Sequence, residues 1–150
     1  MNNVIQKYKD HLSFPFKRYV VTDIQLSCSG NVFIFIGATL LKCEYRCRFH
    51  DCDASMNGER ITIDVAGDIG REHIWSLLGR YIEYCNIFNN GDLQFMFDNN
   101  LEITIHPIPG YEHWELEPCL VDYDKFSCGS DPEGGYSMRN KVFKVVEIKD

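Results

Sequence analysis

The sequence predicts an α+β domain, mostly antiparallel sheet built from two related three-stranded meanders, with a helix near residues 69–79 packed across it. Three observations carry this expectation. Leu93, Phe95 and Phe97 alternate with Gln94 and Met96, and Leu101, Ile103 and Ile105 alternate with Glu102, Thr104 and His106. A period of two marks strands with one buried face. Laying Gly30 on Gly91 places Val32, Ile34 and Ile36 over Leu93, Phe95 and Phe97, and Leu40 over Leu101. Residues 19–49 and 80–114 thus read as two copies of one unit, and small sheets of this kind bury each other's apolar faces. Finally, Ile74, Leu77, Leu78 and Tyr81 fall at i, i+3, i+4 and i+7, the stripe of a helix lying on a sheet.

Taken in order, Val4, Ile5, Tyr8 and Leu12 suit one side of a short helix over 2–12, which Phe14-Pro15-Phe16 ends. Tyr19 to Cys28 alternates as a strand before the turn at Ser29-Gly30-Asn31, and residues 32–36 are apolar on both faces, as in a covered central strand. Leu41, Cys43, Tyr45, Cys47 and Phe49 share one face of the next strand, with Lys42, Glu44, Arg46 and Arg48 on the other. Asn57-Gly58 marks a loop or hairpin, and Ile61, Ile63 and Val65 a short strand. Asp68 is placed to cap the helix that follows, and Gly79 to end it. Asn89-Asn90-Gly91-Asp92 and Asp98-Asn99-Asn100 supply tight turns between three consecutive strands. Beyond Leu116, a strand over 119–123 and a Gly-rich loop over 127–135 are expected. Val142 to Ile148 then returns to a sheet edge guarded by Lys141, Lys144 and Lys149.

A chain of 150 residues, 45% hydrophobic, suits one domain spanning 1–150. The start MNNVIQKYKD lacks a signal peptide's apolar centre, and no apolar run approaches a membrane span, so a cytoplasmic protein that does not engage membrane is expected. Seven unevenly spaced cysteines argue against a secreted disulfide framework. The net charge of −7 is concentrated: residues 110–135 hold seven acids (Glu112, Glu115, Glu117, Asp122, Asp124, Asp131, Glu133) against Lys125 alone, or −6. Direct nucleic-acid binding calls for the opposite sign, whereas an acidic surface suits a basic protein partner. Glu115, Glu117, Asp122, Asp124, Asp131 and Glu133 are therefore the candidate partner-binding residues, with the first four expected to be exposed.

Side chains able to do chemistry are present without a motif that organises them. Cys43, Cys47, His50 and Cys52 are soft metal ligands, yet they lack a paired C-x-x-C knuckle, and the alternation places Cys43 and Cys47 in the core as reduced thiols. Cys85 or Cys119 could in principle pair with His106 or His113, and His106, Glu112, His113 and Glu115 could serve as acids and bases, but no spacing joins them. No catalytic, cofactor-binding or metal-binding residue is assigned, and no cofactor is expected. Pro107 and Pro109 end a strand, after which Tyr111, Glu112 and Trp114 read as structural: the two aromatics anchor a crossing over the sheet.

The run GRYIEYCNIFNNGDLQFMFDNNLEITIHPIPGYEHWEL, residues 79–116, resembles a family of small bacterial proteins of uncharacterised function. Its members share a Gly-Arg-hydrophobic start, a Gly-x-Leu-x-Leu-x-Phe hairpin and a Tyr-Glu-Ala-Trp-Glu-Leu end. The chain has His113 where Ala is common and Asn100 where Gly is usual. Such families resemble immunity proteins, encoded beside polymorphic toxins and in contact-dependent growth inhibition. The resemblance implies a non-enzymatic antitoxin whose partner is a toxin domain, and the acidic segment adds that the partner is basic, a nuclease. The alternatives are a small Cys/His-dependent enzyme or metal-binding module, and a ligand-binding or scaffold domain.

Overall fold

The computed structural model describes residues 3–108, 110, 113–120 and 125–149. Fourteen strands and one five-residue helix occupy them. The α+β expectation is thereby corrected: the protein is a β-sandwich. One sheet runs β14-β1-β2-β8-β9-β10-β6-β7, and the other β13-β12-β11-β5-β4-β3. In chain order these are β1 Val4–Lys7, β2 His11–Ser13, β3 Val20–Leu26, β4 Val32–Gly37, β5 Tyr45–Phe49, β6 Asp53–Met56 and β7 Glu59–Ile61. After α1 Arg71–Trp75 come β8 Ile82–Phe88, β9 Leu93–Phe97, β10 Leu101–Ile105, β11 Trp114–Pro118, β12 Phe126–Ser130, β13 Tyr136–Asn140 and β14 Lys144–Glu147. The inward residues of both sheets form one core, from Ile5, Phe95 and Ile103 on the first to Ile34, Phe49 and Trp114 on the second.

Each meander sits in its own sheet: β3-β4-β5 in the six-stranded one, β8-β9-β10 in the eight-stranded one. They meet through reciprocal main-chain bonds. Val20 bridges Tyr81, its counterpart in the second copy. The Val21 N–H donates to the Arg80 carbonyl at 2.9 Å, and the reciprocal bond, Ile82 N–H to the Tyr19 carbonyl, is 2.7 Å. Both opening strands carry a bulge at the same place, between Val21 and Asp23 in β3 and between Ile82 and Tyr84 in β8. Gly30 and Gly91 both turn with positive φ, 94° and 96°, and the pair Arg18 and Gly79 repeats this at 71° and 79°.

The copies then exchange their trailing hairpins. β6-β7 follows β5 in sequence but pairs with β10, and β11-β12 follows β10 but pairs with β5. In the third strands Cys47 answers to Ile103, since Cys47 faces Ile34 as Ile103 faces Phe95. The stretch from Ile34 to Cys47 is longer than that from Phe95 to Ile103, and the additional residues fall in the β4–β5 connection.

Several local expectations are overturned. Residues 2–12 form no helix among those described: β1 and β2 pair with β14 and β8, burying Ile5 and Leu12. The expected helix over 69–79 shrinks to α1, with Gly70 in left-handed conformation at its start and no side-chain cap. Asp68, itself at φ 58°, instead approaches the Arg71 guanidinium at 3.3 Å. Ile74 and Leu77 are buried, but Leu78 and Tyr81 are exposed. The stripe is cut short because Gly79 and Arg80 are already hydrogen-bonded to Val21. β11 ends at Pro118, and residues 121–123 of the strand expected over 119–123 lie outside the described residues.

Candidate interaction surface

The outward face of the six-stranded sheet is organised in two cross-strand rows. Register places Gln25, Phe33, Arg48, Glu115, Gly129 and Ser137 side by side across all six strands. The neighbouring row begins Asp23, Phe35, Arg46, Glu117 and faces Ser127 and Arg139 farther across. Because alternation sends Phe126, Cys128 and Ser130 inward, β12 presents only Ser127 and Gly129 to solvent. Their small size leaves a furrow of about 610 Å³, walled by Glu115 and Glu117 on one side and Ser137 and Arg139 on the other, with Asp131 and Pro132 at its end.

The wall is electrostatically paired. The Arg48 guanidinium donates to Glu115 Oε1 at 2.9 Å and the Arg46 Nε–H to Glu117 Oε1 at 2.5 Å. Arg46 also lies over the Phe33 ring, 5.9 Å from its centroid. Directly opposed unlike charges on one sheet face stabilise the pairing of β5 with β11 and lock its register. Glu117 is only 7% exposed, which corrects the expectation that it stands free in solvent. Burial of a carboxylate is tolerable there because Arg46 neutralises it.

The other acidic candidates have distinct surroundings. Asp131 accepts from the Glu133 backbone N–H at 2.9 Å and from the Ser137 hydroxyl at 2.8 Å, bonds that hold its carboxyl below the usual range and close the β12–β13 turn. Glu133 is exposed at that turn's tip. Asp122 and Asp124, like Tyr111 and Glu112, lie outside the described residues. Trp114 is fully buried, and its indole N–H donates to the Gly91 carbonyl at 2.8 Å, tying the exchanged strand β11 to the turn of its own copy. His113 is buried beside it, where desolvation lowers its pKa.

The soft ligands do not converge. Cys43 is disulfide-bonded to Cys119 rather than reduced in the core, because β5 begins only at Tyr45 and the alternation read through Leu41 and Cys43 belongs to a loop. Cys47 is buried and desolvation pushes its thiol up, while Cys52 is pushed up to about 12 by the same cause. His50 engages the Ser29 carbonyl at 2.8 Å and Asp51 at 3.1 Å. Cys85 is buried with its thiol pushed well up, and His106 is held between Asp92 at 3.0 Å and Asp53 at 2.8 Å. Among the described residues, no three His, Cys, Asp or Glu side chains form a metal-holding group.

The alternation places Arg46 and Arg48 on one strand face but does not reveal their partners or the furrow. A signal for the furrow is present in FSCGS, residues 126–130, whose outward positions are Ser127 and Gly129. Register across four strands, set by the exchange of hairpins, has no such local signal. No protein-family model matches the chain, no curated protein matches it, and no solved structure matches it.

Proposed function

We propose that this chain is a non-catalytic binding protein that neutralises a toxin domain, a basic nuclease, by covering its active surface from the outward face of the six-stranded sheet. The observation that carries the binding reading is the furrow over Ser127 and Gly129, an open trough with charged walls. The toxin identity is supported by the resemblance of residues 79–116 to immunity-type families and by the charge of −6 over residues 110–135. With Glu115 and Glu117 paired to arginines, the carboxylate left to steer a cationic partner from the described part of this segment is chiefly Glu133. Among the described residues no helix is long and apolar enough to cross a membrane. The site of action in this reading is the cytoplasm, which follows from a nuclease partner.

Co-expression with the cognate toxin domain tests this reading. Replacing Gly129 with Trp fills the furrow from an outward-facing, half-buried strand position and should abolish protection while the melting temperature is retained. Glu133→Lys should slow association several-fold, about 3- to 10-fold, at low salt and less at high salt. Full protection by the Gly129→Trp protein would move the binding face elsewhere, and nuclease or other catalytic activity in the isolated chain would overturn the non-catalytic reading.

A further inference from the structure

A covalent tie joins the two copies at one end of the sandwich. Cys43 lies in the β4–β5 connection of the first copy, and Cys119 directly follows β11, the strand lent by the second; their Cα atoms are 6.2 Å apart, within the ordinary span of a disulfide. This connection is where the first copy carries its additional residues. Its apolar side chains face water, Leu41 at 97% and Leu40 at 61% exposure, and Leu120 beside Cys119 is 79% exposed. Cys43 borders a groove of about 240 Å³ whose lining also includes Tyr45, Phe126 and Val142.

Apart from the disulfide, the loop's described attachments are few. Glu44 is fixed to the strands, its N–H donating to Ile36 at 2.8 Å and its carbonyl accepting from Cys119 at 3.0 Å. Residues 38–42 depend on the Ala38 N–H bond to the Glu44 carboxylate, on a 3.3 Å bond from the Leu41 N–H to the Thr39 hydroxyl, and on a long 3.5 Å bond from Lys42 N–H to the Thr39 carbonyl. Such a segment opens at low free energy once its covalent anchor is removed. The remaining cysteines divide differently. Cys47, Cys85 and Cys128 are buried, and burial pushes their thiols up, Cys128 to about 12. Thiol–disulfide exchange needs a thiolate with access to a sulfur, so the core thiols are bystanders; Cys28 is exposed and Cys52 half-buried, but both are free thiols, and the half-buried pair Cys43–Cys119 is the disulfide open to exchange.

We propose that the Cys43–Cys119 disulfide is a redox switch, which a dithiol reductant opens to release the β4–β5 loop and uncover the Tyr45 and Phe126 side of the groove. One reductant thiolate attacks a sulfur of the pair, breaking the S–S bond to leave a mixed disulfide and a free cysteine thiolate. The second reductant thiol then displaces the other cysteine. Two electrons and two protons pass to the protein, and the reductant leaves as its disulfide. β5 and β11 stay paired through five registered residues, so the sandwich persists in both states. The switch stands apart from the toxin reading and is tested without any partner.

The purified full chain is denatured with an alkylating reagent, without and with prior reduction. Five cysteines should be labelled before reduction and all seven after it. Under native conditions, tryptic cleavage after Lys42 should accelerate roughly tenfold on addition of dithiothreitol and slow again on reoxidation. Cys43→Ser should cleave at the fast rate with or without reductant, with Cys119→Ser as the independent second variant, while Cys28→Ser should keep the full response. Seven labelled cysteines before reduction would overturn the proposal. So would equal Lys42 cleavage in the oxidised and reduced chains.

Discussion

The outward faces of the two meanders differ far more than their inward faces. Inward, Val32, Ile34 and Ile36 answer to Leu93, Phe95 and Phe97, all buried. Outward, Phe33 and Phe35 answer to Gln94 and Met96, Arg46 and Arg48 to Glu102 and Thr104, and Ser127 and Gly129 to Arg60 and Thr62. The second copy's face is knit by its own hydrogen bonds. The Tyr84 hydroxyl donates to Glu102 at 2.5 Å, and the Gln94 amide donates to Glu102 and to the Thr104 hydroxyl, each at 3.3 Å. The first copy's face carries aromatics, ion pairs and an open furrow. Core packing restricts inward positions to well-fitting apolar side chains, whereas outward positions are free to diverge. The second meander's face is open as well, in a furrow of about 390 Å³ bordered by Gln94 and Thr104, so it is the larger, charge-walled furrow of about 610 Å³ that makes the first face the better candidate for an interaction surface.

Four measurements break or sharpen this contrast. Trp114→Ala removes the largest fully buried side chain and its bond to Gly91. It should cost about 3–5 kcal/mol in denaturant unfolding, and a parent-like melt would show that β11 is not anchored by the indole. Next come the matched turns. At Gly91 a Cβ would sit 2.3 Å from the Gly135 carbonyl, whereas at Gly30 the nearest atom is 3.1 Å away. Gly91→Ala should therefore lose about 2–3 kcal/mol and Gly30→Ala about half as much. Equal losses would mean that positive φ alone decides.

The outward faces themselves give smaller effects. Glu117→Gln removes the charge of a carboxylate buried against Arg46 and should cost about 1–2 kcal/mol, a value reduced because Arg46 is 34% exposed. Glu102→Gln, in a hydrogen-bonded network with no arginine described beside it, should cost less than about 1 kcal/mol. The smallest effect is on pH. His106 is held between Asp92 and Asp53, with Arg60 3.6 Å from Asp53, and the bond to Asp92, then that to Asp53, raises its pKa above 6.5. A raised folded pKa stabilises fully below the unfolded value and loses that contribution as pH climbs through the folded one. At 53% exposure the loss should be only a few tenths of a kcal/mol from about pH 6 upward. It should vanish in His106→Gln, and an unchanged pH profile in that variant would assign the titration to another group.

Local periodicity makes much of the architecture legible. Leu93 to Ile105 and the turn glycines Gly30 and Gly91 are properties of short windows, and those windows fold as strands and turns. The longer helix fails because Leu78 and Tyr81 fit its spacing, while the competing bonds from Gly79 and Arg80 to Val21 are long-range. The same applies to Val4 and Ile5, whose strand partners Lys144 and Val145 lie at the other end of the chain. Of the candidate surface, the acidic residues can be read off directly. Their neutralisation by Arg46 and Arg48 cannot, since the pairing depends on which hairpin crosses to which sheet.

The exchanged hairpins also bear on how the chain is made. Phe49 finds its sheet neighbour in Trp114, and Asp53 finds Thr104, each far later in the sequence. During synthesis, the first meander leaves the ribosome with the β5 edge unpaired, and β6-β7 emerges before its docking strand exists. Long-range pairings of this kind slow folding, and open strand edges invite association with other chains. A nascent chain stalled just after Val65 should therefore be a client for chaperones, and protection should arrive late, when β11 closes over β5.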